Sequence, residues 1–280
     1  MADLVSQSFV TAVIRSAAGI DTGILSDLIS AAGQAVRRYC RRSFIPNRYV
    51  ELYDRPHTPY LMLRRTPVLA LNSVTLFPTW LSPIVIPIDQ IDLRSELGRI
   101  CLKPQVDFPP FAAAFMLENA ADLCSATRDV IQVDYTAGFG FLTTAAQPIA
   151  AGAGAAVPAA MNGWSQNQPW AIATGSVLII DPGTPNEETL NVSAVTNNSF
   201  TANFFFPHES SAPIAGIIIP SDVQLAVALI VGNLLNQPDL TKQRESQGKT
   251  IGYEYTVRAG DLLLTPEIKT LLNPYRDTVV

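Results

Sequence analysis

Apolar residues recur at helical spacing in two parts of the chain. Between residues 22 and 43 they fill one face of a helix, and 223–235 is apolar nearly all round. The first pattern predicts an amphipathic helix, which Asp21 or Thr22 can cap and which Pro46 cannot continue. The second predicts a buried helix that Pro238 ends. Shorter helices are predicted near residues 8–18 and 265–272.

Alternation of apolar and polar residues predicts strands over much of the remaining chain. The predicted strands are 48–54, 60–65, 68–77, 98–103, 129–135, 176–181, 188–195, 199–206 and 250–257. Prolines and turn residues separate them, and 145–163 is an alanine- and glycine-rich stretch without periodicity, typical of a linker or loop. Segment 78–128 is rich in proline and reads mainly as irregular.

These elements predict an α+β fold with a helical core, short β-strands and one inserted β domain. The core would be split between residues 1–144 and 217–280. Residues 145–216 would form the insert, a small β-barrel or sandwich. Residues 241–280 would form a C-terminal arm, with a polar segment at 241–249 before the alternating strand and the last helix.

Charge is scarce and unevenly distributed. Hydrophobic residues make up 48% of the 280 residues and charged residues 15%, with a formal net charge of −5. No lysine or arginine occurs between Arg128 and Lys242. A duplex-binding surface is basic, so this middle region does not resemble one. The longest apolar runs are too short to span a membrane, and we expect no membrane partner.

No catalytic constellation is recognisable, so we expect a protein that is not an enzyme and binds no cofactor or metal. His57 and His208 have no partner at ligand spacing, and three cysteines, at positions 40, 101 and 124, match no zinc pattern. They are expected to be reduced. Two weaker interpretations stay open. The acids at 181, 187 and 188 could bind calcium, although a polar hairpin is favoured. Exposed Trp164 and Trp170 could stack on sugars.

Four arginines lie near the end of the first long helix, opposite its apolar face: Arg37, Arg38, Arg41 and Arg42. Cations are favourable at a helix C-terminus, so a solvated helix end would account for them. The alternative is a contact with phosphates or with an acidic neighbouring subunit.

Several segments, taken in order, resemble the head–tail connector (adaptor) family of tailed bacteriophages. They are the helix end at 38–44, then 51–54, 65–68 and 72–74, the "GRI-apolar" turn and strand at 98–102, the "V-x-Y-T-A-G-F" segment at 131–139, 219–223, and finally 247–255 with 271–276. Their order over most of the chain carries the resemblance. Residues 145–216 depart from the compact members of the family.

The resemblance implies a structural protein of the virion neck, assembled in the host cytoplasm. It would form a ring of about twelve subunits between the portal protein and the next neck or tail protein. Double-stranded DNA would pass through the ring. The resemblance also implies that the C-terminal arm, 241–280, docks on the portal. Residues implied by position to contact the portal or a neighbouring subunit, together with the four arginines, are Tyr253, Tyr255, Leu271, Leu272, Tyr275 and Arg276. Alternatively, the terminal elements fold back on their own core.

Two other functions compete with the connector. One is a tail-side neck or stopper protein of the same structural class. The other is a carbohydrate-binding decoration protein that works through the inserted β domain, which exposure of both Trp164 and Trp170 would favour.

Overall fold

The chain forms two compact units in the computed structural model. The structure describes residues 4–54, 58, 60–77, 83–103, 131–236 and 264–276. One unit, the helical unit, combines residues 1–44 with 219–280, and the other, the β unit, contains residues 45–218. The predicted limits of the insert, 145 and 216, both lie inside the β unit.

Four α-helices are described in the helical unit. They are α1 (Gln7–Val13), α2 (Thr22–Cys40), α3 (Ser221–Asn236) and α4 (Pro266–Leu272), with short 3-10 turns at Arg15–Ala17 and Asn273–Tyr275. Helix α2 begins as predicted, since the Asp21 carboxylate accepts hydrogen bonds from the amides of Gly23 and Ile24. It ends earlier than residue 43 because Arg41 adopts a left-handed conformation with φ of 55°.

Helix α3 lies at the centre of the helical unit. It packs against α1, α2 and α4. Its side chains at Val223, Val227 and Ile230 are fully buried, as the all-round apolar pattern predicts. Segments from both ends of the sequence therefore share one hydrophobic core.

The first half of the β unit contains two packed sheets. Its strands are β1 (Asn47–Tyr53), β2 (Tyr60–Met62), β3 (Val68–Leu76), β4 (Ile84–Ile86), β5 (Ile91–Arg94), β6 (Arg99–Leu102) and β7 (Ile131–Ala137), with a 3-10 turn at Ile88–Gln90. One sheet has the order β1-β7-β3-β4 and the other β2-β6-β5. Val133, Tyr135 and Val74 contribute to the core between them.

The second half of the β unit adds three sheets. Its strands are β8 (Gly140–Thr144), β9 (Gly152–Ala156), β10 (Asn162–Ser165), β11 (Gln168–Ala171), β12 (Val177–Ile180), β13 (Glu188–Asn191), β14 (Ala194–Val195), β15 (Phe200–Phe204) and β16 (Pro213–Ile217). The sheet orders are β13-β12-β16-β8, β14-β15-β9 and β10-β11. Leu178, Ile180 and Phe200 are fully buried in a core that the sheets share.

The predicted fold class, α+β with a helical connector core, is wrong. The described chain is mostly β, in five antiparallel sheets. The strands predicted between 48 and 77 are expected to pack on a helical core. Instead they pair with 84–86, 99–102 and 131–137, and the resulting sheets enclose a hydrophobic core of their own. The described helices lie in the other unit.

The glycine that follows β7 is required by a close backbone approach. Gly138 has a φ of 145°, and a Cβ added there would lie 2.6 Å from the Cα of Pro46. Its amide donates to the carbonyl oxygen of Pro67 at 2.9 Å. Only glycine allows the chain to turn from β7 into β8 at this distance.

Candidate docking surfaces and buried polar clusters

The C-terminal end of α2 is joined to the end of the described chain by side-chain contacts. The Tyr39 hydroxyl donates to the Asn273 side-chain oxygen at 2.8 Å, and the Cys40 thiol lies 3.9 Å from the Leu272 carbonyl oxygen. The Arg276 guanidinium lies over the Tyr39 ring, 5.6 Å from its centroid. The structure thus brings the end of α2, around which the four predicted arginines lie, next to residues 272–276.

Three cations of this region are exposed. Arg38, Arg41 and Arg276 are exposed, whereas Arg37 and Arg42 are half-buried; we call the three exposed residues the arginine edge. Burial raises the pKa of the Cys40 thiol to about 11, and the charges of Arg42 and Arg276 oppose this increase. The thiol therefore stays protonated at neutral pH, in a position that both guanidinium groups can influence.

The other predicted interface residues have different surroundings. Leu272 is fully buried and Leu271 is half-buried. Tyr275 is half-buried, and burial followed by the nearby Asp222 carboxylate raises its pKa. Leu272 therefore contributes to packing inside the helical unit. Tyr253 and Tyr255 lie outside the described residues.

A histidine lies between two carboxylates in the β unit. The Nδ1 atom of His208 is 2.6 Å from the Asp181 carboxylate, and its Nε2 atom is 2.6 Å from Glu188. The His208 side chain has no solvent exposure, and that of Glu188 is 4% exposed. A neutral imidazole can donate only one hydrogen bond. The two short contacts therefore require either an imidazolium ion or a proton held by one of the carboxyl groups.

This cluster holds three chain segments together. Asp181 follows β12, Glu188 begins β13, and His208 follows β15. The second oxygen of Glu188 accepts from the Phe205 amide at 2.7 Å, and the backbone of His208 exchanges two hydrogen bonds with Ile149. The arrangement accounts for the acids that suggested calcium, because Glu187 accepts from the Gly183 amide and the other two bind His208. Among the described residues, no His, Cys, Asp and Glu side chains are grouped as metal ligands.

Two neighbouring phenylalanines project from this end of the β unit. Phe205 is 71% exposed and Phe206 is 41% exposed, whereas Phe204 is buried beside the His208 ring. The exposed Glu209 follows His208. We call Phe205, Phe206 and Glu209 the aromatic tip.

A tyrosine cluster fills part of the core between the first two sheets. The hydroxyls of Tyr53 and Tyr135 both donate to the Glu51 carboxylate, Tyr135 at 2.7 Å. Burial, followed by the hydrogen bond to Glu51, raises the pKa of Tyr53 to about 12. Burial, with contributions from Tyr53 and Glu51, also raises the pKa of Tyr135. Both phenols therefore stay protonated and act as hydrogen-bond donors.

An ion pair covers the opposite face of the β1-β7-β3-β4 sheet. The Arg48 Nε donates to the Asp134 Oδ1 at 2.9 Å, and Asn72 donates to the same oxygen at 2.9 Å. Burial of Asp134 favours its neutral form, but the hydrogen bonds from Arg48 and Asn72 outweigh this effect and lower its pKa. Asp134 is thus a structural carboxylate within the "V-x-Y-T-A-G-F" segment.

The two tryptophans that could have formed a sugar platform differ in exposure. Trp164 on β10 is 77% exposed. Trp170 on β11 is half-buried and stacks on Phe141, with ring centroids 4.0 Å apart and planes 2° from parallel. A pair of exposed indole faces is therefore not formed.

Sequence reasoning missed the partners of His208. They lie 20 and 27 positions away, on strands that the pattern predicts without indicating how they pair. One sequence signal could have indicated these partners: Asp181 and Glu188 stand at the two ends of the turn between β12 and β13. His57 lies outside the described residues.

Of the helices that the structure describes, none has the length and apolarity needed to cross a bilayer. In the comparisons with known proteins, no family model matches the chain, and the search of curated proteins finds no match either.

Proposed function

We propose that the chain is a structural head–tail connector of a tailed-phage virion that works by docking and not by catalysis. It forms a ring below the portal protein, extends the DNA channel and supplies the platform for the next neck or tail protein. The observation that carries this proposal is the arginine edge: the exposed Arg38 and Arg41 lie at the end of α2, and contacts of Tyr39 join this helix end to the segment that carries the exposed Arg276.

The packed end of α2 and the residues after α4 suit docking because their buried side chains hold the chain segments that carry the exposed arginines. Cys40 and Leu272 are fully buried, and the Tyr39–Asn273 hydrogen bond holds the segment that carries Arg276. Arginine is well suited to protein interfaces because its planar group binds carboxylates in a bidentate manner and stacks on aromatic rings. The Tyr39 ring holds Arg276 before binding, and a pre-ordered side chain loses less conformational entropy on binding than a mobile one does.

The polar clusters of the β unit support a structural role. Each ring nitrogen of His208 already contacts a carboxylate, and Tyr53 and Tyr135 are protonated donors to Glu51. Groups used in this way stabilise a fold and are poorly placed to transfer protons to a substrate.

The charge distribution is compatible with a DNA conduit. Residues 129–241 contain no lysine or arginine, and a channel through which DNA moves benefits from weak contacts with phosphates. The arginine edge would hold DNA if it faced the channel. We therefore assign it to a protein neighbour, either a second subunit or the portal.

Charge reversal tests this assignment. The double variant Arg38→Glu, Arg41→Glu should reduce incorporation of the chain into particles and the yield of tailed virions. Arg15→Glu, an exposed arginine of the same unit, is the matched control and should leave both unchanged. Normal assembly of the double variant with altered DNA release would contradict the proposal. Pull-downs with the portal and with the tail terminator separate a connector from a tail-side stopper.

A further inference from the structure

The aromatic tip has the chemistry of an interface and not of a solvated loop. Two adjacent phenylalanine side chains are exposed, and burying their apolar surface against a partner favours association. Large aromatic side chains on a rigid support are typical anchors of protein interfaces. The support here is the His208 cluster, whose Glu188 accepts from the Phe205 amide itself.

The charge around the tip indicates the type of partner. Glu209 lies four residues after Phe205 and is exposed, and the exposed Glu187 precedes Glu188, whose carboxylate binds the Phe205 amide. Residues 129–241 contain no lysine or arginine. A surface that combines aromatic rings with carboxylates best accepts guanidinium groups, which stack on the rings and pair with the carboxylates. The complementary surface should therefore present arginine.

We propose that the aromatic tip of one copy of this chain binds the arginine edge of the next copy. The proposal rests on the connector function proposed above and specifies its contact between subunits. The chain itself carries both complementary surfaces, the cations Arg38, Arg41 and Arg276 and the rings Phe205 and Phe206 with Glu209. Because the two surfaces differ, repeated contacts between them run head to tail and can close into a ring.

The test exchanges the charges across this contact in the full-length chain. Assembly of the purified protein is followed by native mass spectrometry over a range of concentrations. The proposed contact pairs Arg38 of one copy with Glu209 of the next. Arg38→Glu and Glu209→Lys, made singly, should each weaken ring formation at least about tenfold, since each places like charges opposite one another. In the double variant Arg38→Glu, Glu209→Lys every subunit carries both changes, so each contact again joins opposite charges. This variant should recover rings.

Removal of the apolar contact supplies an independent measurement. Phe205→Ser with Phe206→Ser should abolish rings while the subunit stays folded and its melting temperature falls only slightly, because Phe205 is largely exposed and Phe206 is partly exposed. Trp164→Ser, a change at another exposed aromatic residue, is the matched control and should leave the rings intact.

The outcomes separate this inference from the function on which it rests. Rings that persist in all variants, or a double variant that does not recover them, overturn the tip-to-edge contact and leave the connector proposal standing. Variants that keep rings but lose binding to a portal or tail protein assign the tip to that protein and also overturn the inference. A wild-type chain that forms no ring, alone or on the portal, contradicts the connector proposal itself.

Discussion

The hydroxyl of Tyr39 donates a hydrogen bond of 2.8 Å to the side-chain oxygen of Asn273, which lies 234 residues further along the chain. The contact joins the end of α2 to the turn that follows α4, and Arg276 stacks on the same tyrosine ring. The place of Arg276 in the arginine edge therefore depends on a long-range contact within the helical unit.

Removing this hydroxyl should loosen the C-terminal segment modestly. Tyr39→Phe keeps the ring under Arg276 and should lower the free energy of unfolding by about 0.5–1.5 kcal/mol. Tyr39→Ala removes the ring as well and should cost more. Urea unfolding measures both. Tyr60→Phe, whose ring also lies under an arginine, is the control, and an equal loss there would contradict this role for Tyr39.

Leu272 should behave as a core residue and not as a docking residue. It is fully buried, whereas its neighbour Leu271 is half-buried. Leu272→Ala should lower the unfolding free energy by about 2–5 kcal/mol, and Leu271→Ala by clearly less. Thermal or urea unfolding checks the order of the two variants. The reverse order would show that α4 is not packed as described.

Loss of the histidine between the two carboxylates should destabilise the β unit. In His208→Gln the Asp181 and Glu188 carboxyl groups lose the cation or proton donor that they share, in a buried position. We expect a loss of about 3–5 kcal/mol. Glu187→Gln is the control, because Glu187 is exposed and a glutamine oxygen can still accept from Gly183. A loss no larger than that of the control would contradict a structural role for the cluster.

The Arg48–Asp134 pair predicts a pH dependence of stability. The pKa of Asp134 is lowered in the folded state. Its contribution to stability is therefore present above the pKa of about 4 that it has in the unfolded chain, and is lost as the pH falls through its folded-state pKa. The stability difference between the wild type and Asp134→Asn should therefore be largest near neutral pH and shrink in acid.

Urea unfolding at about pH 7 and about pH 3 measures this difference. Asp89→Asn, at an exposed carboxylate, is the matched control and should show little change. A difference between wild type and Asp134→Asn that stays constant with pH would contradict the ion-pair account.

Much of the local structure follows from the sequence. Helix α2 begins where Asp21 can cap it, and β1, β3, β12 and β15 lie where alternation and turn residues predict them. Strand β9 was missed because its sequence, GAGAA, contains only residues of low β propensity. Its place in the sheet comes from pairing with β15.

The fold class could not be obtained in the same way because the decisive pairings are distant in sequence. Strand β1 pairs with β7, and the Arg48–Asp134 contact spans 86 positions. A short amphipathic strand specifies one buried face but not its partner strand. The same limit hid the His208 cluster and the contact between α2 and Asn273.

The connector account holds that a tailed phage encodes this chain. Its most direct test is electron microscopy of the neck of purified particles from that phage. The account predicts a ring of its copies directly below the portal, with the arginine edge at a contact between protein subunits. Particles without this chain in the neck, or a ring whose arginine edge faces the DNA channel, would contradict it.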